Sequence, residues 1–118
     1  MKKVLLYFFC CSLFQITSAQ LLTSVQKTVA KDGSGDYKTV QEAFNAIPYN
    51  NKKPITIFIG EGIYIEKLLL DSTKNFVTLT GANKFNTILT YNDHTGKLSP
   101  KGDTINTRTS WSFKILAD

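Results

Sequence analysis

The sequence reads as an all-β protein, and its strand spacing fits a parallel β-helix best. Three observations carry that reading. Short segments rich in apolar and β-branched residues recur at residues 55–59, 67–71, 76–80, 87–91 and 112–116. Two of them repeat at one offset: Ile55-Thr56-Ile57-Phe58-Ile59-Gly60 lies over Phe76-Val77-Thr78-Leu79-Thr80-Gly81, 21 residues on, and 67–71 falls on 88–92. One amphipathic helix precedes them all. A period of about 20 residues with several short strands per repeat marks a solenoid. The absence of helical patterns between the strands argues against βαβ units and leucine-rich arcs. An antiparallel sandwich whose strands match at that offset is the alternative, and spacing alone leaves it open.

The elements follow in order. Residues 27–30 predict a short strand. Asp32-Gly33-Ser34-Gly35-Asp36 is a turn, its glycines supplying unusual backbone angles. It lacks the Lys-Ser/Thr of a P-loop and the third glycine of a dinucleotide fingerprint, which excludes phosphate binding of either kind. Residues 39–47 predict a helix. Thr39 is the N-cap and Glu42, three residues on, completes a capping box. Val40, Ala43, Phe44 and Ile47 form one apolar stripe, and Pro48 stops the helix. Such a helix would close the open N-terminal end of a solenoid, which otherwise exposes core and strand edges. Residues 92–104 read as a polar loop before the last strand.

The N-terminus is an address. Lys2 and Lys3 precede an apolar run at residues 4–14, and Gln15-Ile16-Thr17-Ser18-Ala19 follows. These are the three parts of a secretory signal peptide, with cleavage expected after Ala19. The apolar run is shorter than the ~20 residues of a membrane-spanning helix. Residues 1–19 are thus expected to be a signal peptide and 20–118 the exported domain, secreted or periplasmic. Both cysteines, Cys10 and Cys11, fall inside the signal, so the exported domain would be held by its core without disulfides.

The whole chain has 118 residues and 42% hydrophobic content, about one domain's worth and too apolar for a disordered chain. Removing Lys2 and Lys3 from the 14 basic residues leaves 12 against 9 acidic ones. The lysines are scattered, with Lys52-Lys53 the lone pair and Arg108 the single arginine. Nucleic-acid binders cluster such charges on one face, so a nucleic-acid partner is not expected. The mild positive balance is compatible with an acidic polymer. Asp32 and Asp36 lack the six to eight oxygens calcium takes and the EF-hand pattern; they read as turn residues, and no metal site is expected. His94, the single histidine, has no nucleophile signature near it and reads as a solvated loop side chain. Trp111 reads either as a strand residue or as a stacking surface for a sugar ring.

The assembled motifs resemble the pectinesterases, the pectin methylesterase family of carbohydrate esterases. Val29-Ala30-Lys31-Asp32-Gly33-Ser34-Gly35-Asp36-Tyr37-Lys38-Thr39-Val40-Gln41-Glu42-Ala43 is similar to that family's opening segment. Gly62-Ile63-Tyr64-Ile65-Glu66-Lys67 resembles its G-x-Y-x-E motif. Val77-Thr78-Leu79-Thr80-Gly81 with Thr87-Ile88 resembles the next unit, and Thr107-Arg108-Thr109-Ser110-Trp111-Ser112 the T-x-x-S-x-S/T stretch. Gly60, where the family usually has a charged residue or Pro, and Ile65, in place of a more polar residue, depart from the pattern.

The resemblance implies a right-handed parallel β-helix of the pectin lyase-like kind, of which this chain holds the N-terminal coils and a short capping helix. It implies an aspartyl esterase that hydrolyses methyl esters of galacturonate in pectin, without a cofactor, acting as a monomer when full length. In cell wall modification and pectin catabolism, pectin would be its partner. One Asp would be the nucleophile, a second the acid/base, with Gln side chains at the oxyanion. The resemblance places all of these on coils after the T-x-x-S-x-S/T stretch, so no catalytic residue is expected in this chain. Asp118 matches neither catalytic Asp, and Arg108 is not the active-site Arg. Thr107 alone maps onto a substrate-contacting position. Glu66 and Tyr64 read as structural: a Tyr packed at a coil corner and a Glu accepting backbone or Lys bonds. A non-catalytic truncated β-helix that at most binds polysaccharide is the alternative, and a pectate lyase matches the motifs poorly.

Overall fold

The computed structural model describes residues 24–117. The export segment 1–19 with Cys10 and Cys11, the cleavage point after Ala19, and Asp118 lie outside the described residues. Among the described residues seven strands and one helix follow in the order β1 (Val25–Val29), α1 (Val40–Asn45), β2 (Ile55–Ile59), β3 (Gly62–Ile65), β4 (Leu68–Leu70), β5 (Val77–Gly81), β6 (Thr87–Thr90) and β7 (Phe113–Ile115). They form three parallel sheets, β1-β2-β5, β3-β6 and β4-β7. Strands β2, β3 and β4 make one coil, and β5, β6 and β7 stack on it as the next. The architecture is a parallel β-helix.

The repeat is not a constant 21. Ile55 pairs with Val77, 22 residues on. An offset of 21 would set Ile55 against Phe76, which has φ 58° and is 58% exposed. A slip of one residue turns every side chain to the other face of a strand, so the buried Ile55, Ile57 and Ile59 select the longer register. The second sheet, β3-β6, repeats after 25 residues, from Gly62 to Thr87. The third repeats after 45, from Leu68 to Phe113. Residues 67–71 therefore do not pair with 88–92: β4 stacks on β7, and β6 stacks on the strand β3 inside the G-x-Y-x-E motif. Coils of a solenoid need matching inner faces, while the connections between them absorb length.

The core is a column of inward side chains: Val29, Ile57, Ile59, Tyr64, Leu68 and Leu70, each at most 5% exposed. Helix α1 closes the end above β4. Its residues Val40, Ala43 and Phe44 are buried; the helix ends at Asn45, earlier than the expected 47, and Ile47 is buried just beyond its C-cap Ala46, while the Phe44 ring stacks on Phe113 at 5.8 Å. The capping box is formed: Thr39 Oγ1 accepts from the Glu42 N–H and Glu42 accepts from the Thr39 N–H.

The coil below grips this helix by three further devices. The Glu66 carboxylate accepts the N–H of Val40 at 3.0 Å and of Gln41 at 3.2 Å, satisfying donors a helix start leaves open. The buried Lys74 ammonium donates to the carbonyls of Phe44 and Asn45, where the helix dipole favours a cation. The Gln41 side-chain amide accepts from the Leu69 N–H at 2.8 Å and donates to the Leu69 carbonyl at 3.1 Å. It thereby stands in for the missing neighbour strand and closes the β4 edge.

The turn before the helix is built as its composition implied. Asp36 accepts from the backbone and hydroxyl of Thr28, and Asp32 from those of Ser34. Gly35 packs against the β1 backbone so tightly that a Cβ would sit 2.9 Å from the Thr28 carbonyl oxygen.

Candidate functional site

The long connection between β6 and β7 builds the most elaborate surface feature. Residues 92–105 are not a plain loop. The Gly96 N–H donates to Ile105 O and the Ile105 N–H to Lys97 O, while Ser99 and Asp103 pair across the tip. Leu98 and Thr104 bridge antiparallel. This is a small hairpin, turning through Ser99-Pro100-Lys101-Gly102, with Gly102 at φ 86° and Ile105 buried at its base. Pro100, with Gly102 two residues on, carried a turn signal in the sequence. The flanking strands were too short and polar to announce themselves.

Residues 106–110 then form a tight turn. Asn106 Oδ1 accepts from the Arg108 N–H, and Asn106 O accepts from Thr109 and Ser110. Thr107 sits exposed in this turn. Asn106 and Thr109, on either side of it in sequence, line an open cavity of about 660 Å³ between the turn and the hairpin.

An ion triad ties the two together. Lys67, from the end of the G-x-Y-x-E-K motif, donates to Asp93 Oδ2 at 2.6 Å and to the Thr109 carbonyl at 2.7 Å. Lys97 donates to the Asn92 carbonyl at 2.6 Å and approaches Asp93 Oδ1 at 3.4 Å. The Asp93 side chain is only 7% exposed. The Lys67 hydrogen bond, and then that of Lys97, hold its carboxyl below the usual carboxylate range. Lys67 also lies over the rings of Trp111, at 4.8 Å, and Tyr91, at 5.8 Å. Neither Lys67, Asp93 nor Lys97 was singled out as a site residue from the sequence. Lys67 meets Asp93 because β6 stacks on β3, pairing Ile65 with Thr90, and Lys97 meets Asp93 four residues along the chain.

The other candidates fall into place around this site. Glu66 is a helix clamp, and Tyr64 is buried with its hydroxyl donating to the Gly60 carbonyl at 3.1 Å. Both match their structural reading. Asp32 and Asp36 hold the turn, and hydrogen bonds from Ser34 and Thr28 lower their pKa values. His94 is exposed. Trp111 is half-buried, with Lys67 at 4.8 Å and Lys114 at 5.9 Å from its ring centroid. Among the described residues no group of three or more His, Cys, Asp or Glu gathers in a way that holds a metal ion.

Fold and sequence together point to one class, the parallel β-helices, and comparison with known proteins narrows it. The family model "Pectinesterase" matches residues 26–113, so the chain belongs to the pectinesterase family. Pectinesterase 31 of Arabidopsis thaliana is 35% identical over 78 residues, covering 66% of this chain and 25% of the relative. A pectinesterase of Petunia integrifolia is 40% identical over 80 residues, covering 68% of this chain and 20% of the relative. Among solved structures, a pectin methylesterase in complex with a hexasaccharide superposes with a TM-score of 0.68 at 26% identity, over 79% of this chain and 27% of that one. The carrot pectin methylesterase gives a TM-score of 0.59 at 26% identity, over 81% and 37%. The chain spans between about a tenth and a quarter of the length of the curated relatives it matches.

Proposed function

We infer that this chain forms the N-terminal coils of an exported pectinesterase, which hydrolyses galacturonate methyl esters in pectin and releases methanol. The observation that carries this reading is the family match over residues 26–113 on a parallel β-helix. The coils described here supply scaffold and one edge of the substrate groove. Thr107, exposed in its turn beside the 660 Å³ cavity, is the substrate-contacting residue.

The nucleophilic Asp and the acid/base Asp belong to further coils. Support comes from the occupations of four of the aspartates described. Asp32, Asp36 and Asp71 are bound into turns by Ser34, Thr28 and Thr73, and Asp93 is held by two lysines. A carboxylate saturated in this way is a poor nucleophile. Export follows from residues 1–19, with Gln20 as the first residue of the exported form. The mass or N-terminal sequence of the protein recovered from outside the cytoplasm tests that.

The activity is tested by methanol release from methyl-esterified pectin. Residues 20–118 alone are expected to release none. Release at a rate above the uncatalysed background would overturn the placement of the acid and nucleophile. Thr107→Ala is expected to weaken binding of methyl-esterified oligogalacturonate while leaving the urea midpoint unchanged. Unaltered binding would remove Thr107 from the groove.

A further inference from the structure

The N-terminal end of the fold carries a second groove, which the cap helix leaves open. Helix α1 stops at Asn45, and the residues after it face the start of strand β1. Between them lies a space of about 260 Å³ walled by Val25, Ala43, Ala46, Ile47, Pro48 and Ile55. Val25 and Ile55 are register partners, yet Ile55 is 6% exposed and Val25 42%. The apolar column therefore reaches Val25 and ends there without a lid. Polar groups at the groove are few. The Asn51 amide is spent on the carbonyls of Lys53 and Asn75. Lys27 and Lys53 stand at the lining, where long stems can hold their ammonium groups in water. No described carboxylate lines it.

The occupant with the shortest path is the chain itself. Val25 opens strand β1, so residues 20–23, which lie outside the described residues, join the fold at the mouth of this groove. They read Gln20-Leu21-Leu22-Thr23. Leu22 is three residues before Val25 and Leu21 four, within about 10 and 14 Å of its Cα even in a fully extended chain. A turn at Thr23-Ser24 brings both back over the groove. Removing one large apolar side chain from a core leaves about 150 Å³, so the space suits one or two leucines. Their burial against Val25, Ile47 and Ile55 removes apolar surface from water on both sides.

We propose that residues 20–23 fold back across this groove and seat Leu21 and Leu22 in it, tying the first strand to the cap helix and completing the closure of the N-terminal end. The seat uses no residue of the cavity beside Thr107 and does not depend on the substrate.

The test is disulfide trapping in the chain freed of residues 1–19, which then holds no cysteine of its own. Leu21→Cys and Leu22→Cys are each combined with Ala46→Cys, an exposed position on the groove wall. At least one pair is expected to close within a monomer under mild oxidation. Leu22→Cys with Leu98→Cys, on the hairpin, should stay reduced. As a second measurement, Leu21→Ser with Leu22→Ser should lower the urea midpoint by about 1–2 M, the scale of one buried leucine or two at the slope of a small protein. It should also raise the fluorescence of anilinonaphthalene sulfonate as the groove opens. Leu21→Met with Leu22→Met conserves volume and should leave both readings at the wild-type level. No cross-link to Ala46→Cys from either position, together with a double-serine midpoint within about 0.3 M of wild type, overturns the proposal. A cross-link between two molecules also overturns it, because the groove then takes a second copy. Equal dye binding by the wild type and the double-serine variant overturns it as well, because the groove then stands open to outside ligands.

Discussion

Glu66 offers the sharpest test of how the first coil holds its cap. Replacing it by Ala removes two charge-assisted hydrogen bonds, to the N–H groups of Val40 and Gln41, at 3.0 and 3.2 Å. Hydrogen bonds to a charged group are worth about 1.5 kcal/mol each at the low end of their range. Charge near a helix start adds about 0.5 kcal/mol. Glu66 is half-buried, so water replaces part of what is lost. The net cost should be about 2–3 kcal/mol. Glu66→Gln keeps one acceptor oxygen and should cost about half as much. The assay is urea unfolding followed by far-ultraviolet circular dichroism. With a slope of about 1 kcal/mol per molar for a small protein, Glu66→Ala should lower the midpoint by about 2 M. A midpoint within about 0.3 M of wild type would refute the clamp and reopen a chemical role for this carboxylate.

Two further outcomes follow from the same structure. Phe44→Ala empties a fully buried position stacked on Phe113 and should cost about 3–5 kcal/mol, read as a fall in the melting temperature; a loss under 1 kcal/mol would mean the helix is not the lid of the core. Asp32, Asp36 and Asp71 have folded pKa values lowered by hydrogen bonds from Ser34, Thr28 and Thr73. Their stabilisation is therefore present above the unfolded carboxylate value of about 3.9 and drains away as pH falls through the lower folded values. Urea midpoints taken from pH 7 down to 3 should fall below about pH 4, and Asp36→Asn should flatten that fall; a flat profile in the wild type would contradict the assigned bonds.

Much of this protein was legible in one dimension because its determinants are local. The capping box needs only Thr39 and Glu42 three residues apart, and the stripe 40, 43, 44 needs only helical geometry; the helix ends at Asn45, short of the expected 47. The strands announced themselves by β-branched content, and the motifs 29–43, 62–67 and 107–112 named the family. Register was misjudged by one residue in the first sheet. The letters I-T-I-F-I-G and F-V-T-L-T-G align by their terminal glycines, whereas the fold aligns them by their buried faces. Strand β3 was read as a motif, not as a strand, because a four-residue segment containing Gly62 carries little periodic signal.

What lay beyond the sequence depends on distance along the chain. Glu66 reaching back to Val40, Gln41 pairing with Leu69, and Lys74 reaching Phe44 span 25–30 residues, and no local pattern encodes them. The Lys67–Asp93–Lys97 triad is the same kind of feature. Each residue alone is an ordinary surface charge. The stacking of β6 on β3 brings Lys67 to Asp93, where Lys97 also reaches from four residues on, and the Lys67 bond to the Thr109 carbonyl ties this pair to the Thr107 turn. The sequence by itself determined the elements, the cap and the family, since short-range sterics and hydrogen bonding write those into neighbouring residues. The tertiary structure decided the register and the charge balance of the cavity, because burial and Coulomb interaction act between residues that meet only once the coils stack.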